Sequence, residues 1–257
     1  MNTKQEQKHQ EQIIDQFSRQ AIPFTRVPGH LDSLRLLLEF SGVTTADQVL
    51  DVACGPGIVG CEFAGIADHV TGIDLTPAMI EQAEIRQRQN GLDNLTWITG
   101  NAEPLPFAAA TFSLVITRYS FHHFIAPEKV LAEMCRVCRP DGCVMVADVA
   151  MPEEKSAAYD QLEIIRDPSH VHALTEKEFA TMFQNSGLTD CRRIGYEVEI
   201  DLEAQLKASF PNPGVADKLR QMIVDDIGVN RLGINVQQTG SGIKYHCPIT
   251  VYAGRKR

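Results

Sequence analysis

The stretch Val49-Leu50-Asp51-Val52-Ala53-Cys54-Gly55-Pro56-Gly57-Ile58-Val59-Gly60 decides the fold. Its apolar start predicts a short buried strand over 48–53, and the glycines that follow spell G-x-G-x-x-G ahead of a helix over about 58–66. Alone, three spaced glycines are a weak signal. Between a strand and a helix they gain meaning, because that unit aims backbone N–H groups and a helix N-terminus at the space beyond the strand's carboxyl end.

Working outward, the same rhythm repeats. A second strand over 69–73 ends at Asp74, Thr76-Pro77 starts a helix that stops at Asn90-Gly91, and strands follow over 95–99 and 112–117. Pro127 opens a helix carrying Cys135 and Cys138, and the turn Arg139-Pro140-Asp141-Gly142 leads into a fifth strand over 143–149. Strands alternating with helices specify crossover units, so the expected architecture is α/β, with a mostly parallel sheet and helices on both faces. Near-continuous apolar strands agree, since they must be covered on two sides. Beyond 149 the pattern changes. Residues 151–174 are polar and partly helical, and Thr175 with Glu178 forms a capping box for a helix that stops at Ser186-Gly187. A sixth strand over 191–200 and a last one over 245–253, with Pro248 awkward inside it, bracket a polar insertion over 201–243 with one helix around 214–227. Upstream, Phe17, Ala21 and Phe24 mark an apolar helical face interrupted by Pro23, and 30–40 reads as an amphipathic helix stopped by Ser41-Gly42. The expectation is one domain with seven strands. It comprises N-terminal helices (1–44), a core (45–150) and a C-terminal part (151–257) with small lid insertions at about 151–174 and 201–243.

Composition limits the partners. The 257 residues suffice for one large core with a small lid. The net charge of -9 and the lack of Lys/Arg runs, apart from Arg255-Lys256-Arg257, argue against nucleic acid and for a small-molecule partner. That basic tail reads as a solvated end. No apolar run approaches the ~18 residues of a membrane span, and residues 1–16 are polar with no secretory h-region. Seven cysteines, an odd number, fit reduced thiols, so a cytoplasmic location is expected. Cys135 and Cys138 have metal-like spacing with Cys143 nearby, but they lie on an amphipathic helix without a second ligand pair and read as buried thiols. No metal is expected, and the sequence is silent on oligomeric state.

Asp74 lies about twenty residues past the glycine loop, at the end of the next strand, where a carboxylate accepts both hydroxyls of a ribose. Dinucleotides and S-adenosylmethionine both suit that geometry. Asp51 discriminates between them. A carboxylate just before the loop repels a pyrophosphate and attracts a cationic amino group, which S-adenosylmethionine carries. Cys54, inside the loop, reads as a small buried residue.

At these residues the chain resembles class I S-adenosylmethionine-dependent methyltransferases, nearest to the type-11, ubiquinone-biosynthesis-like branch. The segment from Val49 to Gly57 is similar to the first motif of that family. Gly72-Ile73-Asp74-Leu75 resembles its ribose motif, and Gly100-Asn101-Ala102-Glu103 its Gly-Asp-Ala-Glu segment. Phe112-Ser113-Leu114-Val115 and Arg139-Pro140-Asp141-Gly142 resemble the fourth strand and the turn before the fifth. The likeness covers roughly 45–150 and implies a Rossmann-like fold. It implies that Gly55 and Gly57 meet the methionine part and that Asp51 holds its amino group. It also implies that Asp74 binds the ribose, Leu75 packs on adenine, Asn101 and Ala102 contact the adenine edge, and Arg118 lines the methionine end. Asn101 departs from the usual Asp, but its amide retains an acceptor and adds a donor.

Methyl transfer needs a nucleophile in line with the methyl and, for a protonated acceptor, a base. His122 and His123 follow the fourth strand at the rim of the expected pocket, and of the two His123 is the favoured base. Asp148 ends the fifth strand within reach. His170 and His172 read as ordinary lid residues, and Phe210 and Met222 of the insertion carry no readable specificity. The expected function is S-adenosylmethionine-dependent methylation of a small molecule at O, N or C, with S-adenosylhomocysteine as product. The resemblance points to a phenolic, quinoid or heterocyclic acceptor. The alternatives are a non-catalytic S-adenosylmethionine-binding module and a dinucleotide-dependent oxidoreductase.

Overall fold

Alternate residues of the central strands bury themselves in two different cores. In the computed structural model, which describes residues 3–24, 33–212 and 214–257, Leu50 and Val52 of β1 (Gln48–Val52) pack with Val115, Val144 and Val146. Val49 packs with Leu114, Ile116, Met145 and Ala147. This period of two on a sheet covered on both faces is why these strands read as continuous apolar runs. The first core is closed by α5 (Pro127–Val137) and α7 (Glu176–Asn185), and the second by α2 (Leu34–Ser41) and α3 (Ile58–Ala64).

The remaining strands are β2 (His69–Asp74), β3 (Leu95–Thr99), β4 (Phe112–Arg118), β5 (Cys138–Val149), β6 (Thr189–Asp201), β7 (Gln237–Thr239) and β8 (Gly242–Arg255). Their order is β3-β2-β1-β4-β5-β8-β6, with β7 paired to β8. The first five run parallel, and β6, β7 and β8 join antiparallel. Strand order reverses between β1 and β4, and a crevice opens at the carboxyl ends of those two strands.

The sheet has eight strands, not seven. The eighth, β7, is three polar residues hairpinned to β8 within the 201–243 insertion. That insertion also holds α8 (Leu202–Ser209), capped by the Asp201 side chain accepting from Ala204 N–H at 2.8 Å, and α9 (Ala216–Val224). With α6 (Glu153–Arg166) they build a third apolar cluster over the end of the sheet, around Val149, Tyr159, Leu162, Leu206 and Ile249. Pro248 is tolerated in β8 because its carbonyl accepts from Ala150 N–H where β5 has just ended. Its missing N–H faces the same side, so the β6 ladder loses no donor. The basic tail is also not a free end. Lys256 Nζ donates to the Cys138 carbonyl at 2.6 Å and ties down the start of β5.

At the N-terminus, α1 (Thr3–Phe24) continues through Pro23. The Phe24 side chain, and residues 30–32 of the helix expected over 30–40, lie outside the described residues. Gly42 ends α2 in the left-handed conformation, its N–H bonded to the Leu38 carbonyl. Among the described residues no helix is long and apolar enough to cross a membrane.

The glycines around the loop have a packing cause. Trp97 on β3 lies beneath the loop. A Cβ at Gly72 would sit 2.3 Å from Trp97 Cζ3, and one at Gly57 or Gly60 would sit 2.8 Å from Trp97 Cη2. Gly72→Ala is therefore expected to destabilise by about 1–3 kcal/mol through overpacking. Combining it with Trp97→Leu should recover part of that loss. Denaturant unfolding of the two single variants and the double variant reads the coupling, and simple additivity would refute the contact as its source.

Candidate active site

Four strand ends converge on the crevice, each with a polar side chain: Asp51 near the end of β1, Asp74 ending β2, Arg118 ending β4 and Asp148 near the end of β5. Two adjoining cavities result. The larger, about 250 Å³, is lined by Asp51, Gly55, Asp74, Leu75, Asn101, Ala102, Arg118 and His123. Gly57 does not line it; that residue turns toward Trp97 and Ala83 and serves the packing of the loop. The smaller, about 110 Å³, is lined by His122 and Asp148. His123, Tyr119 and Phe17 line both.

The loop is held from beneath. Asp74 accepts from Gly55 N–H and from Thr76 N–H, each at 2.8 Å, so one carboxylate fixes the loop and the start of α4 (Pro77–Gln89) together. Each of its oxygens keeps further acceptor capacity. Gly55 takes a left-handed φ of 52°, and a Cβ there would meet no atom within 4 Å, so the backbone faces open cavity. Asn101 Oδ1 accepts from Glu103 N–H at 3.3 Å.

Asp51 is the exceptional group. It is buried, and its Oδ2 has no hydrogen-bond partner within the protein. Burial pushes its pKa up to about 7; the nearby Arg118 charge and the Gly60 N–H pull the other way without overcoming it, and Asp74 adds to the rise. A carboxylate in this state is a preformed seat for a cation or a strong donor.

The histidine rings lie 4.2 Å apart centre to centre, yet the 3₁₀ turn Phe121–His123 gives each a different partner. His122 donates from Nδ1 to Asp148 at 2.6 Å, while Asp148 also accepts from Phe121 and Val149 N–H. Burial pulls the His122 pKa down, but the Asp148 carboxylate outweighs it and the net direction is up. His123 donates from Nδ1 to the Ser169 carbonyl at 3.0 Å, and the edge of Phe17 packs on its ring. Burial, then repulsion from His122, lower its pKa to about 3, so it stands neutral. His170 and His172 both bond to Asp160, and His172 also reaches Glu178. They brace α6 against the start of α7. Burial raises the thiol pKa values of Cys135 and Cys138 to about 11 and 12, which keeps them protonated. Among the described residues no group of three or more ligating side chains is placed to hold a metal.

The roof of the larger cavity is the part that sequence reasoning missed. His9, Ile13 and Phe17 project from α1 at i, i+4 and i+8 onto it. His9 donates to the His123 carbonyl at 2.8 Å, and Gln16 to the Ser209 carbonyl at 2.6 Å. The stripe was visible in the sequence, but its polar start disguised it as a solvated helix.

The chain is similar to known proteins along much of its length. The family described as a methyltransferase domain matches residues 44–187. The uncharacterized methyltransferase YcgJ of Bacillus subtilis is 27% identical over 233 residues, spanning 88% of this chain and 91% of that one. The crystal structure of YcgJ superposes with a TM-score of 0.80 at 25% identity, covering 88% of this chain and 98% of that chain. The ubiquinone/menaquinone biosynthesis C-methyltransferase UbiE of Klebsiella pneumoniae is 32% identical over 132 residues, about half of each chain (49% and 53%).

The Asp51 geometry has a cost in stability that pH exposes. With a folded pKa near 7 against about 4 unfolded, the folded state holds the extra proton, so stability falls as pH rises from about 4 to 7 and stays low above. The difference is on the order of 4 kcal/mol. Asp51→Asn, fixed neutral, is expected to melt roughly 5–10 °C above the parent at pH 8, with the gap shrinking toward pH 4.5. Asp74 shifts in the same direction in both proteins and cancels. Melting curves across that range check this, and a gap independent of pH would refute it.

Proposed function

This chain belongs to the methyltransferase domain family, and from that premise we propose that its larger cavity binds S-adenosylmethionine and that the enzyme methylates a small molecule. The observation that carries the reading is Asp51, a buried acid in the cavity wall whose Oδ2 has no hydrogen-bond partner within the protein. When bound, the cofactor supplies a methyl group on a sulfonium, open to in-line displacement.

The chain's own residues fit that group. Asp51 would hold the cationic amino group, which a pyrophosphate-bearing dinucleotide lacks. Asp74, already anchoring Gly55, would accept from the ribose hydroxyls with its remaining lone pairs. Leu75 and Ala102, with Ile73 and Met79, give the apolar walls a flat base needs. Asn101 would meet the base edge, Gly55 would leave room for the methionine backbone, and Arg118 would close that end. His123, neutral and shared by the two cavities, would stand where methyl and acceptor meet.

Trp97 is the sole tryptophan and touches the loop, so its fluorescence is a built-in probe of this site. S-adenosylhomocysteine affinity is expected to weaken as pH falls from 8 to 6, because Asp51 protonates, with its pKa near 7. Binding below pH 7 should release a proton, since a bound ammonium lowers that pKa. Asp51→Asn should lose that pH dependence and about 10- to 100-fold in affinity, as for one charged hydrogen bond. Calorimetry in two buffers of different ionisation heat reads the proton. Tight binding of a nicotinamide dinucleotide in place of S-adenosylhomocysteine would overturn the reading.

A further inference from the structure

The smaller cavity has a charge balance that selects its occupant. Asp148, Glu163 and Asp167 bring three carboxylates to it, against the cations of Arg166 and, when protonated, His122, among the described residues. The wall is therefore net negative in either state of His122. Each carboxylate is secured as an anion: Asp148 by the His122 N–H, Glu163 by two donors of Arg166, and Asp167 by the Ser169 N–H and O–H. Burial opposes ionisation of all three and is outweighed, by His122 at Asp148, by Arg166 at Glu163, and at Asp167 by His123 and Arg166 ahead of Ser169. The rings of Phe17, Tyr119, Tyr159 and Tyr245 share the wall. Carboxylates among aromatic rings suit a cation, through Coulomb attraction and ring quadrupoles.

The direction of charge flow makes the choice sharper. Methylating a phenol oxygen or an acidic carbon places negative charge on the acceptor as its proton leaves. Methylating a neutral amine moves positive charge from sulfur to nitrogen. A net-negative wall opposes the first and stabilises the second where it counts, in the transition state.

We propose that the smaller cavity is the acceptor site, that it takes a compact amine, and that His122 is the base that collects its proton. The proposal rests on the larger cavity holding the methyl donor. The amine lone pair forms the N–C bond while the S–C bond breaks and leaves its pair on sulfur. The bound ammonium first gives a proton to His122 Nε2, since Nδ1 is committed to Asp148, and this frees the lone pair. Asp148 is the positioning residue that fixes this tautomer. His122 is faced by Asp148 and Glu163, which favour its charged form, by Arg166, which opposes it, and by the rings of His123 and His170. The sequence favours His123 as the base; the geometry favours His122, because His123 is held neutral against a backbone carbonyl.

Three rings of similar size test this: benzylamine, p-cresol and benzoate, offered to the full chain saturated with S-adenosylhomocysteine and read by calorimetry. At pH 8 benzylamine is expected to bind at least about tenfold tighter than the other two. With labelled S-adenosylmethionine it takes the label on nitrogen. Asp167→Asn should shrink that preference. His122→Asn should leave S-adenosylhomocysteine binding unchanged, cut turnover on the order of 100-fold, and remove the acidic limb of the kcat/KM profile. Tighter binding of p-cresol or benzoate, label on oxygen, binding of none of the three, or an intact acidic limb in His122→Asn each overturns the proposal and leaves the larger cavity's reading standing. Failure of S-adenosylhomocysteine to bind the parent protein overturns that reading itself.

Discussion

A carboxylate buried with one oxygen left unpaired is the constraint on which this molecule turns. Asp51 emerges from β1 at the point where strand order reverses, the one place in a doubly wound sheet where no crossover helix covers the strand ends. Leaving such an atom without a partner normally costs a few kcal/mol. Several groups around it at the crevice are set by contacts of their own. Asp74 pins the loop, Arg118 supplies a nearby charge, and Trp97 fills the space under three glycines. Strain concentrated on one group and rigidity around it are two sides of the same preorganisation.

The glycine loop illustrates how a motif can be right for a reason other than the one usually attached to it. Of its three glycines, Gly55 alone opens onto the cavity; Gly57 and Gly60 are small so that an indole can lie against them. The spacing that suggests phosphate binding is here, in large part, a packing requirement between β3 and α3. Charge enters the cavity wall through the acidic residues on either side of the loop, Asp51 and Asp74.

The parallel half of the sheet was legible because strands buried on both faces carry a strong one-dimensional signal. The antiparallel end was less so. β7 is Gln237-Gln238-Thr239, three residues with no apolar alternation, held in place by its hairpin partner. α8 did carry a signal, since Leu202, Leu206 and Ser209 fall on one buried face behind an Asp cap, but it lies in a stretch whose polarity hides it. The acids that line the larger cavity were legible from position alone, at strand ends. His122 and His123 could not be told apart that way. They are neighbours in sequence, and only the 3₁₀ turn sends one ring to Asp148 and the other to Ser169. Which of two adjacent side chains faces which cavity is a property of backbone path, and no local rule encodes it.

The two cavities share a roof, and that roof is attached differently from the rest of the fold. Among the described residues of α1, Gln16, Gln20 and Ala21 are buried, and the helix contributes nothing to the three large apolar clusters beyond its edge contacts. Its ties are polar at His9, Gln16 and Gln20, which reach the His123 carbonyl, the Ser209 carbonyl and Asp167, and apolar at Phe17, whose ring packs with that of His123. Two of those bonds end where the cavities adjoin, on the His123 backbone and the Asp167 carboxylate. The roof therefore does two things at once. It covers both cavities, and it sets the residues at their junction. The sheet fixes the geometry at the strand ends, and a helix that belongs to none of the three apolar clusters spans the crevice between them.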